Sequence, residues 1–133
     1  MSFSVLMVCT GNICRSVMAE QILREAAADS GVDICVDSAG ISDEEHGHGI
    51  DSRAARALRE GGYRVPSHRA RQVQAGELQR WDLILAMTSS HLRALERLAG
   101  GPDPKIRMFR DFEESAGEST RGGSRDVPDP WYG

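Results

Sequence analysis

The stretch FSVLMVCTGNICRS, residues 3–16, decides how this chain is read. Residues 3–8 are a continuous apolar run broken only by Ser4, the pattern of a strand covered on both faces. A helix-compatible stretch begins at Ser16, so residues 9–15 form the turn from strand to helix. A turn of this length can curl until its backbone N–H groups converge on one centre. With the N-terminus of the following helix it makes an anion cradle. Cys9 stands at the floor of that cradle and Arg15 at its rim, where a guanidinium grips two oxygens of a tetrahedral oxyanion.

The chemistry this suits is nucleophilic attack on phosphorus, with a cysteinyl-phosphate intermediate. A free thiol has a pKa of about 8.5. Beside a cation at a helix N-terminus it can fall to roughly 3.5–7.5. A cradle for a phosphate dianion is therefore also a cradle for a thiolate.

Beyond the turn, strands and helices alternate. Residues 16–29 carry Met18, Ile22, Leu23 and Ala26 on one helical face, and Gly31 stops the helix. Residues 34–36 form a second strand, closed by Ser38, Ala39 and Gly40. Residues 41–50, with Gly47 and Gly49 among charged and histidine side chains, form a loop. Asp51 caps a helix that runs to Glu60, with Arg53, Arg56 and Arg59 as a solvated basic face. A short helix is expected at 75–80 and a buried strand at 83–87. Ser89 caps a helix carrying Leu92, Leu95 and Leu98, and residues 106–109 form a fourth strand. The tail from Arg110, rich in Gly, Ser, Asp and Pro, reads as a long loop. The alternation implies an α/β sandwich with a parallel sheet and right-handed crossovers. Ligands of such sheets bind beyond the carboxyl ends of the strands, where the Cys9 turn lies.

Length and composition bound the function. The chain has 133 residues, which predicts one domain over residues 1–133. The formal net charge is −4 and there is no basic tract, so a nucleic-acid partner is not expected. No run approaches about 18 apolar residues, and the N-terminus lacks a signal pattern. A cytoplasmic protein without membrane contact is expected. The three cysteines, Cys9, Cys14 and Cys35, fit neither a disulfide scaffold nor a metal site. Cys35 is expected in the core. No metal and no cofactor are predicted.

The segment from Val8 to Ser16 resembles the phosphate loop of the low-molecular-weight protein tyrosine phosphatases. The likeness continues through Met18, Ala19 and Glu20, through Asp37 to Gly40, through His68, Arg69 and Ala70, and through Asp129 to Gly133. It implies a three-layer sandwich around a four-stranded parallel sheet in the flavodoxin-like order 2-1-3-4. It implies Cys9 as nucleophile, Arg15 as phosphate clamp and Asp129 as general acid and base, with Asp126 as runner-up. Thr10, Gly11, Asn12, Ile13, Cys14 and Ser16 would line the substrate phosphate. Trp131 and Tyr132 would supply a wall of an aromatic slot opposite Ile13. A supporting network would join Asn12 to Ser16, Ser38 and His68, with Ser16 donating to the thiolate. The family's loop cysteines can also pair, so peroxide would drive Cys9 towards a bond with Cys14. Phosphorylated proteins or peptides would be the partners, and phosphate or vanadate the inhibitory anions.

Three departures qualify the likeness. Glu44 and Glu45 stand where members of the family usually carry an aromatic residue. Val17 replaces a more usual proline or leucine-like residue. The sequence stops at Gly133, where members continue into a final helix, so part of the sheet's apolar face is expected to be exposed. Three other readings share the loop: an arsenate reductase, a phosphoarginine phosphatase and a non-catalytic phosphoprotein-binding module. The first needs further cysteines, and residues 85–91 hold none. The second is associated with threonine at the position of Ile13. The third would be expected to lose Cys9, Arg15 or Asp129.

Overall fold

The sheet has four parallel strands in the spatial order second, first, third, fourth, which places the first strand of the chain at its centre. The structure is a computed structural model and describes residues 3–109. Its elements are β1 (Phe3–Cys9), α1 (Arg15–Ser30), β2 (Ile34–Gly40), α2 (Ser52–Glu60), a 3-10 helix (Ala75–Arg80), β3 (Leu83–Ala86), α3 (Ser89–Ala99) and β4 (Ile106–Met108).

The chain leaves β1 through α1 to β2 on one side, then crosses back over β1 to reach β3. The carboxyl end of β1 is thus the topological switch point, where neighbouring connections splay and leave a crevice. Strand alternation builds two cores. Leu6, Val8, Ala39, Ile84 and Ala86 pack with Leu78 and Leu95 on the side of the 3-10 helix and α3. Val5, Met7, Cys9, Val36 and Leu85 pack with Ala19 on the side of α1. The second core is open at one end: Phe3 is 50% exposed, and with Leu23, Leu83 and Phe109 it lines an apolar groove.

Several local expectations are corrected. The second strand runs on through Asp37 and Ser38 to Gly40, in register with β1 up to Cys9. Its polar residues do not break it because Arg71 binds the Asp37 carboxylate and Glu20 accepts from the Ser38 hydroxyl. On α1 the buried side is not that of Met18, Ile22 and Ala26. It holds Ser16, Val17, Ala19, Glu20, Gln21 and Ala27, and of the expected face Leu23 does pack, partly buried, against the core. Glu20 can be buried because Arg24 one turn later and Ser38 both bond it. The cap of α3 is Thr88, whose Oγ1 accepts from His91 N, one residue before the expected Ser89. The third strand stops at Ala86 and the fourth at Met108. Cys35 is exposed rather than in the core, because β2 is an edge strand and Cys35 shares its outer side with Asp37. Asp51 does cap α2, accepting from Arg53 N and Ala54 N. Gly31 ends α1 in the left-handed conformation, with φ of 70°. Among the described residues no helix is long and apolar enough to cross a membrane.

Candidate active site

β1 delivers Cys9 to the switch point with its residue only 3% exposed, and α1 begins at Arg15. The first turn of α1 contains no acidic residue, so nothing in it competes for the positive end of the helix dipole. Between the two elements the chain reverses through Asn12, which has φ of 59° and is the one non-glycine with positive φ among the described residues. Asparagine tolerates this conformation better than most residues.

Asn12 is fully buried, and both ends of its side-chain amide and its main-chain carbonyl are hydrogen-bonded. Its Nδ2 donates to Ser16 Oγ at 3.0 Å, and its Oδ1 accepts from the main-chain N–H of Arg71 at 3.0 Å. Its carbonyl accepts from His68 Nε2 at 2.5 Å. Ser16 Oγ in turn lies 3.0 Å from Cys9 Sγ. Of the network expected around Asn12, the contacts with Ser16 and His68 are present and the contact with Ser38 is not. Ser38 donates to Glu20 Oε1 at 2.5 Å rather than meeting Asn12. His68 meets the main chain of Asn12, because Arg71 N already occupies the side-chain oxygen.

The floor of the turn is set by Gly40 at the end of β2. A Cβ there would lie 2.6 Å from the carbonyl oxygen of Thr10 and 3.1 Å from Asn12 N, so only glycine lets the strand approach this closely. The loop after β2 is strapped to the turn by main-chain bonds. Ile41 N donates to Cys9 O at 2.9 Å, Ser42 N to Thr10 O at 3.0 Å, and Asp51 N to Ile13 O at 2.8 Å.

Above Cys9 lies a cavity of about 270 Å3. Cys9, Thr10, Gly11, Ile13, Cys14 and Arg15 line it from the turn, and Ser42, Glu44 and Glu45 from the loop opposite. Two thiols, one guanidinium and a helix N-terminus thus converge on a single space. The Glu45 side chain lies over Gly11 and its carboxylate accepts from His48 Nδ1 at 2.6 Å. Cys14 is buried, and no disulfide joins any two of the three cysteines, all of which are described. Asp126, Asp129, Trp131 and Tyr132 lie outside the described residues. Among those described, no group of three His, Cys, Asp or Glu side chains is placed to hold a metal ion.

Four residues around the site were not singled out from the sequence. Glu20 holds Ser38. His91, buried on α3, bonds Thr10 Oγ1 through Nε2 at 2.7 Å. Arg71 and Glu77 form an ion pair behind the turn, at 2.8 Å and 2.9 Å. Glu20 reaches Ser38 across 18 positions and His91 reaches Thr10 across 81, whereas the pairing of Glu20 with Arg24 and the capping box of Glu77 with Gln74 are local signals.

Comparison with known proteins agrees with this geometry. The sequence model of the low molecular weight phosphotyrosine protein phosphatases matches residues 4–133. A low molecular weight protein-tyrosine-phosphatase of Streptomyces coelicolor is 42% identical, over 100% of this chain and 80% of the relative. Among solved structures, YfkJ from Bacillus subtilis superposes with a TM-score of 0.88 at 37% identity, covering 99% of this chain and 81% of YfkJ. Wzb of Vibrio vulnificus, solved in complex with benzylphosphonate, gives 0.79 at 29% identity, covering 98% of this chain and 83% of Wzb. With its whole length matched, and the turn, helix and sheet order in place, the chain belongs to the low molecular weight protein-tyrosine phosphatases, a family of hydrolases.

Proposed function

We propose that the protein hydrolyses protein phosphotyrosine through a cysteinyl-phosphate intermediate. One observation carries this reading: the Cys9 sulfur at the floor of the cavity, 3.0 Å from Ser16 Oγ, where α1 begins at Arg15. The Cys9 thiolate attacks phosphorus while Arg15 and the amides of the turn hold the non-bridging oxygens. The P–O bond to the tyrosyl oxygen breaks, and Asp129 gives that oxygen a proton. Asp129 then takes a proton from water as the water oxygen attacks phosphorus. The S–P bond breaks, phosphate leaves, and Ser16 donates a hydrogen bond to the departing thiolate.

Ile13 forms an apolar wall suited to an aryl ring, and Trp131 and Tyr132 would form the other. The benzylphosphonate bound by the Vibrio relative joins an aryl ring to a phosphonate anion through one methylene. The enzyme is read as cytoplasmic, acting on phosphorylated proteins or peptides and inhibited by phosphate or vanadate.

The test is hydrolysis of para-nitrophenyl phosphate with and without vanadate, then a peptide panel bearing phosphotyrosine, phosphoarginine or phosphoserine. Cys9→Ser should abolish turnover and still bind vanadate, since the amide cradle survives. Arg15→Ala should harm both. Turnover retained in Cys9→Ser would overturn the mechanism, and preference for phosphoarginine would reassign the substrate.

A further inference from the structure

Arg71 and Glu77 lie behind the phosphate loop, and neither lines the cavity above Cys9. We propose that this ion pair is a positioning device: it fixes the Asn12 amide, and through it aims the Ser16 hydroxyl at the Cys9 sulfur. The inference rests on the phosphatase reading for what the sulfur does, and on geometry for the rest.

The chain of bonds has a direction. Arg71 N–H is a donor, so the end of the Asn12 amide that faces it must be the oxygen. A flipped amide would set an NH2 against an N–H. With Oδ1 so assigned, Nδ2 must face Ser16 and donate into a lone pair of Oγ. The hydroxyl has one proton, which is then left for its remaining neighbour, Cys9 Sγ at 3.0 Å. A hydrogen bond given to sulfur stabilises negative charge on it. The same bond serves when sulfur attacks phosphorus and when it leaves.

The direction holds only while the peptide of Arg71 stays in place, and this segment is held from both sides. Its carbonyl accepts from Gly40 N at 2.8 Å. Its guanidinium forks onto Glu77 at 2.8 Å and 2.9 Å and reaches Asp37 at 3.1 Å. Glu77 is 3% exposed and is itself clamped by Gln74 N at 2.9 Å and Trp81 Nε1 at 3.2 Å. Burial pushes the Glu77 carboxyl up, but the bonds from Arg71 and Gln74 outweigh it and hold the group below its ordinary range. The anchor is therefore a fixed, charged pair that ties the Arg71 segment to the 3-10 helix through Glu77. A bidentate fork resists rotation in a way that a single contact does not.

The experiment measures alkylation of Cys9 by iodoacetamide at pH 6, following the Cys9 peptide by mass spectrometry against glutathione in the same tube. Wild type should react faster than glutathione. Glu77→Gln should slow Cys9 by about tenfold, and kcat for para-nitrophenyl phosphate should fall with it. Arg71→Lys keeps the charge and the main-chain N–H but loses the fork, and should slow Cys9 in the same sense. Asp37→Asn removes only the third contact and should slow it less. If Glu77→Gln does not fold, the other two variants carry the test. Folded variants with a lowered Tm but the wild-type Cys9 rate would make the pair a structural anchor only and overturn the inference. A wild-type Cys9 no faster than glutathione would overturn the phosphatase reading and this inference together.

Discussion

Gly40→Ala should disable the site from beneath without altering any side chain that meets substrate. The new Cβ would lie 2.6 Å from Thr10 O and 3.1 Å from both Asn12 N and Gly11 C, all backbone atoms of the phosphate loop. An ordinary carbon–oxygen contact is about 3.3 Å, so the backbones must part by about 0.7 Å. The strand cannot yield. Gly40 N is held by Arg71 O and Gly40 O by Val73 N, each at 2.8 Å, and the residue pairs with Cys9 in the sheet. The loop must move instead, carrying its amides away from the phosphate oxygens. A misplacement of about 1 Å can reduce catalysis about 100-fold, so kcat/KM should fall roughly 10- to 100-fold. Strain of this kind destabilises by about 1–3 kcal/mol. The assay is para-nitrophenyl phosphate hydrolysis with vanadate affinity and a urea melt. Gly76→Ala is the control, since a Cβ there meets nothing within 4 Å. It should leave activity intact. Wild-type kcat/KM and vanadate affinity in Gly40→Ala would refute the reasoning.

Other outcomes are expected. Asp129→Asn should lower the rate by roughly 10²–10⁴-fold, less with para-nitrophenol as leaving group, whereas Asp126→Asn should do much less; the reverse order would make Asp126 the acid. Glu44→Trp should lower KM for aryl phosphates more than it changes kcat, because stacking acts on ground and transition states alike; a raised KM would deny Glu44 that role. Mild peroxide followed by dithiothreitol should restore wild type and restore Cys14→Ser far less, with a Cys9–Cys14 peptide found by mass spectrometry in wild type. Because the fold holds the Glu77 carboxyl below its ordinary 4.5, its contribution is full above that pH and is lost as pH falls through the lower folded value. Denaturant melts of wild type should therefore lose stability below about pH 4.5 more steeply than those of Glu77→Gln.

What the sequence reveals of this molecule follows from the range of the forces involved. The first strand, the stop at Gly31 and the Asp51 cap are local, and each is readable from a few neighbouring residues. So is the placing of Cys9 and Arg15 in one turn, because strand and helix on either side leave the chain no other path. The polar end of β2 is not local: Asp37 and Ser38 resemble a strand terminus until Arg71 and Glu20 arrive to satisfy them. The buried side of α1 is misread for the same reason, since Glu20 and Gln21 look like solvent residues. Arg71 acts on the site through its main-chain N–H, a group that every residue but proline possesses, so no side-chain pattern can announce it. His91 meets Thr10 across 81 positions of sequence.

The strapping of the phosphate loop has a further consequence. The segment that faces it is tied to Cys9, Thr10 and Ile13 by three peptide bonds' worth of N–H groups, from Ile41, Ser42 and Asp51. Those N–H groups need no particular side chain. Glu44 and Glu45, which line the mouth of the cavity, can therefore be exchanged without loosening the cradle beneath. The wall is thus a cassette held by its ends over a floor that does not depend on its side chains. An aromatic wall and an acidic one are alternative fillings of the same frame, which makes residues 43–46 the natural place to retarget this enzyme.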